Sequence, residues 1–76
     1  MNKDRRRRLG MAESFISEAR SIIETVRDEE EEAIANIPEN FESGDQVEAM
    51  EEAVGNLESA ITALEEAEEA VSEAKG

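Results

Sequence analysis

In the second half of the chain, Val47, Met50, Val54, Leu57, Ile61, Leu64 and Val71 fall at alternating spacings of three and four, with Glu68 the one polar member of the row. A 3.5-residue period of this kind predicts a helix seated along a single partner helix. The first half carries a matching row: Leu9, Ala12, Ile16, Ala19, Ile23, Val26, Ala33 and Ile37, with Glu30 as its misfit. Each stripe is the natural mate of the other.

The boundaries follow from local chemistry. Asn2 or Asp4 can cap a first helix, expected over about residues 3–36. Pro38 ends it, because proline disfavours the α conformation at Ile37 and has no N–H to donate. Residues 37–44 read as a short connector. Asp45 with Glu48 has the spacing of a capping box, as does Ser43 with Gln46, and a second helix is expected over about residues 45–75. Helices of ~30 residues, each ~45 Å long, joined by so short a loop must fold back on each other. The predicted fold class is therefore all-α, a single domain over residues 1–76 built as an antiparallel, coiled-coil-like two-helix hairpin.

The residues flanking the stripes differ on the two edges. With the turn centred near Asn40, one edge sets Arg27 opposite Glu51 and Arg20 opposite Glu58, and leaves Glu13 facing Glu65. The other edge carries Phe15 and Ile22 on the first helix and Ala53, Ala60, Ala67 and Ala74 on the second. Sliding the register by one heptad changes the individual partners and keeps one edge charged and one apolar. An apolar edge outside the seam leaves part of the core open to water. A second copy would close it as a four-helix bundle, so a homodimer is expected, with Phe15, Ile22, Ala53, Ala60 and Ala67 as the self-association residues.

Composition sharpens this picture. Seventy-six residues with no Cys and no His cannot be reinforced by disulfides or a zinc site, which again favours burial against a partner. No stretch has the apolar run of a signal peptide or a membrane span, so a soluble, cytoplasmic protein is expected. Without His or Cys, Ser–His and Cys–His nucleophile arrangements and Glu-x-x-His di-iron ligation are excluded. The glycines are scattered and form no phosphate loop. A two-helix hairpin has no obvious concave site in which paired carboxylates could acquire separated pKa values. A non-enzymatic protein with no cofactor and no metal is expected.

The formal net charge of −13 is unevenly spread. Residues 1–8 hold Lys3 and Arg5, Arg6, Arg7 and Arg8 against Asp4, a net of +4, and the rest holds three cations against 20 acids, a net of −17. That density repels nucleic acid and anionic membranes and attracts basic partners. Asp28, Glu29, Glu30, Glu31 and Glu32 form the densest acidic run, near a helix C-terminus where the helix dipole disfavours negative charge. With Glu48, Glu51 and Glu52 it makes a carboxylate cluster at the connector end, and carboxylates three or four apart stand ~5–6 Å from each other. The spacing is close to that of phosphates on a nucleic-acid strand and suits a DNA-mimic surface. The expected partner-binding residues are Asp28, Glu29, Glu31, Glu32, Glu48, Glu51 and Glu52. Arg5–Arg8 are expected to pair with Glu69 and Glu73 across the hairpin, and Phe41 to plug the end of the seam.

The opening Met1 to Arg8, the segment Ile23 to Ala33, the connector Asn36 to Asn40 and the stretch Glu48 to Ala53 resemble small acidic proteins encoded by phages and mobile elements of Gram-positive gut bacteria. The resemblance implies a protein that binds and blocks a host protein, and the acidic faces lead one to expect a basic one that handles nucleic acid or serves in defence. The alternative from the residues themselves is an assembly module acting through the apolar edge.

Overall fold

The structure is a computed structural model that describes residues 1–38, 40 and 44–76. Helix α1 spans Lys3–Ala35 and helix α2 spans Asp45–Lys75, packed side by side as an antiparallel hairpin 60 Å long and 14 by 12 Å across. Among the described residues, no helix is long and apolar enough to cross a membrane.

Both ends of α1 are closed by their own chemistry. The Asn2 side chain accepts a hydrogen bond from the Arg5 N–H at 2.8 Å, and the Asn36 N–H donates to the Glu32 carbonyl at 3.1 Å before Pro38 stops the helix. Helix α2 starts differently from the expected capping box. Gly44 is the cap residue and supplies no side chain, while Asp45 and Glu48 lie in the first turn, where their charges meet the positive end of the helix dipole. The alternative cap Ser43 and the expected plug Phe41 lie outside the described residues. At the far end Gly76 has φ +86°, a left-handed conformation that suits glycine, and its N–H closes on the Ser72 carbonyl at 3.2 Å.

The predicted α2 stripe faces α1 throughout, with Val47 at 6% and Ile61 at 8% exposure the only buried side chains among the described residues. Lys75 extends the row by one further step of four. On α1 the facing row begins as predicted with Leu9, Ala12, Ile16, Ala19 and Ile23, then passes through Arg27, Glu30, Ile34 and Ile37. Val26 and Ala33, expected in the seam, are instead exposed. The cause is geometric: a straight α-helix turns ~20° per heptad away from a strict seven-residue repeat. Two successive steps of four, Ala19 to Ile23 to Arg27, absorb that drift.

The register also differs from the expected one, by one heptad. Arg20 meets Glu65 and Glu68, not Glu58, and Glu13 pairs with Lys75 rather than facing Glu65. No ion pair joins Arg27 to Glu51 among the described residues. Arg20 thus stands level with Glu65. The contrast between one charged and one apolar edge persists.

Candidate functional site

Three surfaces carry chemistry. The first is the charged edge. Arg20 reaches Glu68 at 3.2 Å, Glu65 at 3.5 Å and Glu24 at 3.8 Å, so one guanidinium gathers three carboxylates across and along the hairpin. With Glu13, Glu69 and Ser72 it lines a shallow hollow of about 430 Å³. Further along the edge, Arg27 Nε donates to Asp28 at 3.0 Å. That bond raises the Arg27 pKa; partial burial opposes it, and attraction to Asp28, Glu31 and Glu58 reinforces it.

The second surface is the connector end. Asp28, Glu29, Glu31 and Glu32 on α1 and Glu48, Glu51 and Glu52 on α2 are all exposed, as the sequence leads one to expect of a solvated cluster. Glu51 joins Ile34, Ala35, Ile37 and Val47 around a hollow of about 340 Å³ where the end of α1 lies beside the start of α2. Among the described residues, Asp28 alone in this set makes an ion pair, with Arg27. No Lys or Arg occurs between Asp28 and Ala74 in the sequence, and the last turn of α1 holds no basic residue. Glu30 sits half-buried in the seam, with no ion pair among the described residues. No group of His, Cys, Asp or Glu suited to hold a metal ion occurs among the described residues.

The arginine tetrad departs from expectation. Among the described residues it makes no ion pair with Glu69 or Glu73. Arg7 and Arg8 each reach Asp4 at 3.0 Å, and Arg6 Nε donates to the Lys75 carbonyl at 3.2 Å. The one-heptad shift explains this: Arg6 already stands at the end of α2, so Glu69 falls opposite Glu13 and Arg20 instead.

The third surface is the apolar side. Phe15 is 64% and Ile22 is 59% exposed, and along the same side of α2 Ala53, Ala60 and Ala67 are half-buried. Met11 and Val26 are exposed on the same ridge, a part the heptad reading missed because it put Val26 in the seam. The signal was present: Met11, Phe15, Ile22 and Val26 repeat a helical spacing about a quarter turn from the seam row. On α2 the small side continues through exposed Ala63, Ala70 and Ala74.

Compared with family models, curated proteins and solved structures, the chain matches none.

Proposed function

We propose that this chain is a non-enzymatic, cytoplasmic protein-binding module whose acidic connector end engages a basic surface on a protein partner. The observation that carries the reading is the exposure of seven carboxylates, on two helices at one end, with one ion pair to them among the described residues, Asp28 with Arg27. Acids placed against the α1 dipole and left without counter-charges lower the stability of the hairpin. An opposing basic surface would relieve that repulsion and be steered in from a distance. In its sharper form, and with the resemblance to small phage proteins, the partner is a nucleic-acid-handling or defence protein of the host, and the hairpin occupies its nucleic-acid groove as a DNA mimic.

The test is capture from host lysate by the chain and by a variant carrying Glu31→Gln, Glu48→Gln, Glu51→Gln and Glu52→Gln. The expected result is a basic protein retained by the parent chain, lost by the variant, released by salt and displaced by duplex DNA. Retention that is indifferent to salt and to the four substitutions would sink the electrostatic reading. The exposed Phe15 and Ile22 favour a second reading, an assembly module in which acidity serves solubility.

A further inference from the structure

The apolar ridge of α1 is symmetric along the helix. Met11, Phe15, Ile22 and Val26 are separated by four, seven and four residues, so Met11 with Val26 and Phe15 with Ile22 are mirror positions whose numbers add to 37. A two-fold interface requires that if one position meets a second, the second meets the first. An antiparallel pair of α1 helices centred between Glu18 and Ala19 meets that requirement at every ridge position.

Two further features agree with this centre. The hairpin register, with Arg20 level with Glu65, brings Ala63 level with Ile22 and Ala70 level with Phe15, so small side chains of α2 flank the same centre. The charges agree as well. On the ridge side, reflection through the centre sets Arg8 opposite Glu29. Among the described residues Arg8 finds no glutamate across its own hairpin and Glu29 has no ion pair.

We propose that a second copy of this chain docks on the apolar side with its connector at the opposite end, forming a four-helix bundle with a two-fold axis perpendicular to its length. Phe15 then packs on the partner's Ile22, and Arg8 faces the partner's Glu29. The alanine stripes of the two α2 helices meet without bulky side chains between them. The alternative two-fold, along the bundle, puts both connectors at one end and sets acid against acid, which this charge distribution opposes. The long face measures 60 by 14 Å, room for the ~800 Å² per partner of a standard interface. Glu29 enters this interface and Glu52, five full turns from Ala70, lies on its side, whereas Glu31, Glu48 and Glu51 face away, so the dimer leaves part of the proposed basic-partner surface available.

The test uses the purified full chain, so its outcome is independent of any other partner. The chain lacks cysteine, and Ala35→Cys therefore places a single spin label on each copy. Pulsed dipolar spectroscopy is expected to give a separation of about 50 Å, from the 1.5 Å rise per residue counted through the two-fold. A separation near ~20 Å, the value for side-by-side copies with connectors together, overturns the orientation. Sedimentation showing only an 8.4 kDa species at micromolar concentration overturns the dimer. Ile22→Glu is expected to dissociate it with helicity retained, and an intact Ile22→Glu dimer removes the ridge from the interface. Should Ile22→Glu also unfold, the charge exchange still decides. Arg8→Glu is expected to weaken dimerisation about tenfold, because each substitution acts twice in a symmetric pair, and adding Glu29→Arg to restore it. Absence of that rescue counts against the pairing.

Discussion

Arg20 Nε stands 3.2 Å from Glu68 Oε1, and both atoms are shielded from water. Glu68 is the one polar member of the α2 stripe, and Arg20 reaches it from the charged edge. Their alignment is that of an ion pair rather than a straight hydrogen bond. Such a pair is a weak source of stability, and it selects the register together with Glu13–Lys75, since a slide of seven in either direction would set Lys75 against Arg6 or Arg20.

Arg20→Ala should destabilise the hairpin by roughly 1 kcal/mol, since it leaves the Glu68 carboxylate in the seam with neither cation nor full hydration. Arg20→Met combined with Glu68→Leu should recover parent stability or exceed it. Urea unfolding at one fixed protein concentration reads both. Equal midpoints for the parent and Arg20→Ala would show that the pair contributes nothing.

Glu30→Leu should stabilise the fold by about 1 kcal/mol. The residue is half-buried in the seam, near a helix C-terminus that disfavours its charge, and a leucine there removes apolar area from water. Thermal unfolding followed by circular dichroism should shift upward, and a downward shift would mean that Glu30 has a favourable partner.

Gly55→Ala is expected to add roughly 0.5–1 kcal/mol, because alanine is the better helix former and a methyl group at Gly55 meets nothing within 4 Å. A loss of stability would indicate that another chain approaches Gly55 closely in solution.

Added salt should stabilise the protein. With a net charge of −13, self-repulsion outweighs the few attractive pairs, and raising NaCl from ~10 mM to ~500 mM shortens the screening length from about 30 Å to under 10 Å. The melting temperature should rise over that range, whereas capture of a basic partner should weaken. A melting temperature that falls with salt would mean that ion pairs such as Arg20 with Glu68 dominate the balance.

The acidic connector end was legible in the sequence because it depends only on two helices being joined by a short turn. The full apolar ridge was less so. Val26 reads as a seam residue under a strict heptad and moves onto the ridge only when the helix is allowed its own pitch, and Met11 gains significance only beside Val26. The arginine tetrad was misplaced for a related reason, since its neighbours on α2 depend on register.

By itself the sequence determined the two helices, the stop at Pro38, their antiparallel pairing and the division into a charged and an apolar edge. These follow from local backbone chemistry and from a periodicity that any register preserves. The tertiary structure alone decided which residues meet. A heptad stripe of Val, Leu, Ile and Ala fits its mate almost equally well after a slide of seven residues, so the apolar pattern cannot choose. The choice falls to the residues that break the pattern. Glu68 and Lys75 occupy seam positions on α2, and the observed register places Arg20 and Glu13 against them.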